Sequence, residues 1–150
     1  MTLIEYIGLG LKSDEVVDLL EQYDMQVIYR FDRLHENSPD EYSSAAPEAG
    51  FQLSFDENQV LTTIFCYVKG RDGFVPVDPE MVGVAFFQSA AAARAAGESK
   101  GMKCLFKDGV KFLGRTLSWV SFEMEHRKIH YEYEEGGLAL ITLSRLQAVV

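Results

Sequence analysis

Strict alternation of apolar and polar side chains, occurring twice far apart, is the feature that most constrains this chain. Phe51-Gln52-Leu53-Ser54-Phe55 alternates, turns through Asp56 to Gln59, and returns as Val60 to Val68. Ile129-His130-Tyr131-Glu132-Tyr133 alternates likewise, turns at Glu134 to Gly137, and returns as Leu138 to Leu143. Successive side chains of a strand point to opposite sides, so each run reads as a strand with one face on a core and one facing water. Both hairpins therefore need an apolar cover.

Helical spacing supplies candidates for that cover. Ser13 is a suitable N-cap, Asp14 and Glu15 suit the positive end of a helix, and Val16, Val17, Leu19, Leu20 and Tyr23 form one apolar stripe. Ser89 opens a second, alanine-rich helix that Gly97 is expected to stop. Setting Leu61 on Leu138 also sets Ile64 on Ile141, with one residue of difference absorbed in the turn. Val27 to Phe31, Met102 to Phe106, Val110 to Leu113 and Thr116 to Met124 read as further strands, with Lys107-Asp108-Gly109 as a tight turn. The expected architecture is α+β, with two tandem helix-plus-antiparallel-β-meander units in a single domain spanning 1–150. The first unit covers about 7–68, the connection 69–82, and the second unit about 83–146. Arg33 to Gly50 is the longest irregular stretch, a length usually reserved for functional or disordered loops.

Charge narrows the function classes. The 14 Lys+Arg and 23 Asp+Glu give a net charge of 14 − 23 = −9. Residues 1–75 hold 14 acids and 5 bases, and residues 76–150 hold 9 of each, so the whole excess is N-terminal. Such a surface argues against nucleic acid and anionic membrane as partners and for a basic one. Cys66 and Cys104 sit inside apolar runs without CxxC spacing and read as buried free thiols of a reducing compartment. Met1 to Gly10 has no basic n-region, and no apolar stretch is long enough to span a bilayer, so a cytoplasmic protein is expected.

Chemistry-bearing patterns are sparse. His126 and His130 are four apart, but on a strand that separation is about 13 Å, too long for one zinc ion with bonds of about 2 Å. They read as surface residues beside Lys128 and Glu132, and His35 stands alone. Asp14/Glu15, Asp40/Glu41, Asp56/Glu57 and Glu134/Glu135 sit where turns and helix starts place carboxylates anyway. No GxSxG or complete phosphate-binding glycine loop occurs. No enzyme activity, metal or cofactor is expected. Lys100, Lys103, Lys107, Lys111 and Arg115 form a local basic cluster, read as edge lysines that block sheet aggregation. The remaining candidate is a recognition surface around the long loop and first hairpin turn, with Glu36, Asp40, Glu41, Tyr42, Glu48, Asp56 and Glu57 as contacts and Phe74 as a further aromatic.

Leu61-Thr62-Thr63-Ile64-Phe65-Cys66-Tyr67, then Gly70-Arg71-Asp72-Gly73-Phe74, Pro76, the Ser89 helix, and Tyr131-Glu132-Tyr133 through Leu140-Ile141-Thr142-Leu143 resemble a group of small bacterial immunity proteins. These are encoded beside polymorphic or bacteriocin-type toxins and neutralise them by binding. The tandem arrangement also resembles the β-lactamase-inhibitor-protein type of fold, which likewise occludes an enzyme. The resemblance implies a cytoplasmic, monomeric inhibitor of a cognate basic toxin, with a nuclease as the leading expectation. An acidic secretion chaperone that holds an effector partly unfolded is the alternative, and a dimer would favour it.

Overall fold

In a computed structural model, the alternating runs become strands of one sheet; the structure describes residues 1–31, 37 and 39–146. The strands are β1 (Val27–Arg30), β2 (Glu41–Ala46), β3 (Phe51–Phe55), β4 (Leu61–Tyr67), β5 (Lys103–Phe112), β6 (Arg115–Glu123), β7 (Arg127–Glu134) and β8 (Gly137–Arg145). All neighbours are antiparallel, in the order β1-β2-β3-β4-β8-β7-β6-β5. The helices are short: a 3-10 turn at Leu3–Tyr6, α1 (Asp14–Gln22), α2 (Pro79–Val82) and α3 (Ala90–Ser99).

The expected pair of tandem helix-plus-meander units is therefore not formed; the fold is mainly one continuous eight-stranded sheet. Its centre is the β4–β8 seam, where Ile64 faces Leu143 and Cys66 faces Ile141. Separate units would leave these strands as exposed apolar edges, and pairing them removes both edges while merging the two cores. One row on the covered face runs Ala46, Phe51, Cys66, Ile141, Tyr131, Val120 and Phe106. All but Phe106 are buried, each large apolar side chain contributing about 1.5–3 kcal/mol on burial.

The segment expected to be a connection is packed into the fold. Val77 and Val82 are buried, Val77 N–H donates to the Tyr67 carbonyl at 2.7 Å, and Asp78 caps α2. Beyond it, the Tyr131 and Tyr133 hydroxyls donate to the Ala85 and Phe87 carbonyls at 2.8 and 2.9 Å. Those bonds fasten the 83–88 segment over the sheet and satisfy both buried phenols.

Three local expectations change. Arg33 to Gly50 is not wholly irregular, because Glu41–Ala46 pairs with both β1 and β3 as β2. Asp108-Gly109 is not a hairpin turn: β5 runs through it with a register shift, Gly109 has φ 62°, and the chain reverses at Leu113-Gly114. Asp-Gly serves a bulge as readily as a turn, since both need a left-handed residue. Gly97 lies inside α3, where a Cβ would reach within 3.1 Å of Phe122 ring atoms, so it permits close helix–sheet approach and does not end the helix.

Candidate binding surfaces

Several acidic residues are brought to one end of the sheet by three elements. Ser13 caps α1, and just before it Leu11 N–H donates to the Gln59 carbonyl at 2.8 Å, while Gly10 bridges Val60. The first turn of α1, with Asp14 and Glu15, thus starts beside the β3–β4 turn that carries Asp56 and Glu57. Tyr42 pairs with Phe55, so Asp40 and Glu41 enter β2 at the same end. The helix N-terminus partly offsets the negative charge of its own first turn.

Their side chains have different duties. Asp56 accepts from the backbone N–H groups of Asn58 and Val60 at 2.9 and 3.0 Å, which shapes the turn. Asp40 accepts the Tyr29 hydroxyl at 2.7 Å, a bond that raises the Tyr29 pKa, and the Tyr29 ring stacks on Tyr42 at 4.9 Å. Glu41 and Glu57 are exposed and make no ion pair among the described residues. The expected contact set is thereby divided: Asp40, Glu41, Tyr42, Asp56 and Glu57 converge, and Glu36 lies outside the described residues, as do Arg33 and His35. Glu48 sits at the far end of β2, in an open cleft of about 790 Å³ with Gln22, Asp24 and Gly73. Phe74 is also remote from the acidic end and stacks on Tyr67 at 4.2 Å.

The sheet face opposite the core presents a second surface. The Tyr23–Phe51 ring contact and the Gly97–Phe122 approach put α1 and α3 on the core face, and no described helix covers the other. Adjacent positions there read Gln52, Phe65, Thr142, His130, Ser121 and Leu105, with Trp119 in the neighbouring row. The sequence puts Trp119 on a strand but does not reveal this face, because the facing depends on register across four strands.

His130 corrects another expectation: it is half-buried, with Nδ1 2.6 Å from Ser121 Oγ and its ring 5.3 Å from Trp119. Ser121 is 0% exposed, so its hydroxyl is shielded from solvent and has the His130 ring as its partner. Burial, and then the charge of Lys128, hold the His130 pKa below its ordinary value. The unfolded chain binds a proton near pH 6.5 that the folded chain resists, so stability falls as pH drops through about 6.5 toward the folded pKa. Urea midpoints should accordingly decline between pH 7.5 and pH 5.5, and His130→Gln should lessen that decline; an unchanged decline would assign it to other groups.

Cys66 is buried, its thiol pushed up to about 12 by desolvation, and Cys104 is half-buried where full burial was expected. Among the described residues no group of three or more His, Cys, Asp or Glu side chains is placed to hold a metal ion. No described helix is long and apolar enough to cross a membrane. No protein-family model, curated protein or solved structure matches this chain significantly.

Proposed function

We propose that the protein is a stoichiometric inhibitor of the immunity type, acting in the cytoplasm as a monomer on a cognate basic toxin, with a nuclease as the first candidate. The observation that carries this reading is the convergence of carboxylates from the start of α1, the start of β2 and the β3–β4 turn at one end of the sheet. Summed charge of one sign steers an oppositely charged partner and raises its association rate. The stacked Tyr29–Tyr42 pair beside Asp40 supplies aromatic area of the kind that holds an interface once formed. Toxins that cleave nucleic acid need cationic clefts for phosphate, which makes them suitable counterparts.

The test is capture from the source organism with the tagged protein, washing at low and then high salt, and mass spectrometry of what remains. A single folded basic toxin, bound one-to-one and inhibited, is the expected result. Several partly unfolded secreted proteins would replace this reading by the chaperone, and no partner would remove it. With the toxin in hand, Glu41→Lys with Glu57→Lys should slow association by about tenfold or more at low salt and weaken its salt dependence. These two positions are chosen because their carboxylates, unlike those of Asp40 and Asp56, accept no hydrogen bond among the described residues.

A further inference from the structure

β5 ends the sheet, and its outer side has no strand partner among the described residues. It is ten residues long and mostly exposed. Leu105 and Phe106 are 44% and 45% exposed, one on each face of this edge. Long edges with apolar side chains invite another strand, because their outward N–H and C=O groups are unpaired. Lys103, Lys107 and Lys111 recur along this one. Lys103 pairs with Glu123 at 2.9 Å but stays 68% exposed, and Lys107 and Lys111 make no ion pair among the described residues. The nearby acid, Asp108, is taken by Arg94 at 3.2 Å.

We propose that the outer edge of β5 receives an acidic, extended segment of a partner protein as a ninth strand. Main-chain hydrogen bonds supply affinity in such strand addition, and side chains supply selection. Lysines spaced along the strand pair with carboxylates on an incoming strand and repel a cationic one. A second copy is disfavoured by the same rule, since β5 against β5 sets lysine near lysine, and β1 is four residues long and carries no acid. The bulge between Lys107 and Val110 breaks the edge, so the docking stretch is Lys103 to Lys107. This surface lies on the opposite edge strand from β1 and β2, and its existence does not depend on the immunity reading.

The probe is a labelled decapeptide of alternating glutamate and valine, with its lysine–valine counterpart and a ten-residue oligothymidine as comparisons. Fluorescence anisotropy with the full chain should show the glutamate peptide binding at least about tenfold more tightly than either comparison. Lys103→Glu with Lys107→Glu should reverse the preference between the peptides while the circular dichroism spectrum stays unchanged. Backbone amides within Lys103–Lys107 should gain exchange protection when the glutamate peptide binds. Equal binding of both peptides, preference for the oligonucleotide, or binding without protection in β5 would each overturn the proposal. A dimer of the free protein through β5 in sedimentation velocity would do the same.

Discussion

Thr142→Pro is expected to unfold both halves of the sheet together. Thr142 sits in β8 between Phe65 of β4 and His130 of β7, on the face away from the core. The substitution therefore acts through the backbone and not through core packing. Proline has no N–H for the ladder, fixes φ, and is essentially confined to edge strands and bulges. Interior proline costs about 3 kcal/mol or more in a helix, and a central strand offers no easier accommodation. That is a large part of the roughly 5–15 kcal/mol by which domains are stable. Hydrogen exchange and urea titration should show β3 and β6 amides losing protection to the same extent, in one transition that coincides with the change in Trp119 fluorescence. Retention of β1 to β4 protection while β5 to β8 is lost would show that the seam does not couple them.

Coupling at the seam also marks the limit of what periodicity reveals. Alternation in Phe51–Phe55 and Ile129–Tyr133 is visible in the residues because one face of each strand is buried. Which strands then lie side by side is not visible, since β4 and β8 are separated by 69 residues, from Tyr67 to Gly137, and either could have been an edge. β2 is hidden in the sequence for a different reason. Glu41-Tyr42-Ser43-Ser44-Ala45-Ala46 has one aromatic and no β-branched residue, and it becomes a strand through tertiary pairing, including Ser44 Oγ donating to the Gln26 carbonyl at 2.7 Å. Gly97 and Gly109 are ambiguous in the sequence because glycine at a helix stop, a tight contact, a turn and a bulge looks the same in one dimension.

The acidic surface was partly legible for a related reason. Charge by halves located the excess, and Asp40, Glu41, Asp56 and Glu57 do converge once β2 and β3 pair. Asp14 and Glu15 belong to the same end, but in the sequence they carry only a helix-start signal, which masks any second role. Glu48 went astray because a strand of six residues lies between it and Asp40, carrying the two acids to opposite ends of the sheet. Extended chain advances about 3.4 Å per residue in an antiparallel sheet, so acids that look clustered in sequence are far apart in space.

Gly50→Ala is expected to be among the most destabilising single changes available outside the apolar core. Gly50 ends the β2–β3 turn with φ 82°, where a side chain costs an L-residue about 1–2 kcal/mol. A Cβ there would also overlap the Val75 carbonyl oxygen and lie 2.6 Å from the Val77 nitrogen and 2.8 Å from its Cα. These atoms are backbone and cannot swing aside. Val75 N–H donates to the Pro47 carbonyl at 2.9 Å, Val77 N–H to Tyr67 at 2.7 Å, and Tyr67 N–H to Gly50 itself at 2.9 Å. Relief of the overlap must therefore break bonds that close the end of β3 and β4, taking the total loss to about 4 kcal/mol or beyond. Gly136→Ala separates the two causes, because Gly136 has the same φ of 82° but open space around its Cβ position. That control should lose only the conformational cost, about 1–2 kcal/mol, in the same urea titration. If the two variants were equally destabilised, close packing of residues 75–77 against Gly50 would contribute nothing, and the segment following β4 would be a tether and not part of the fold.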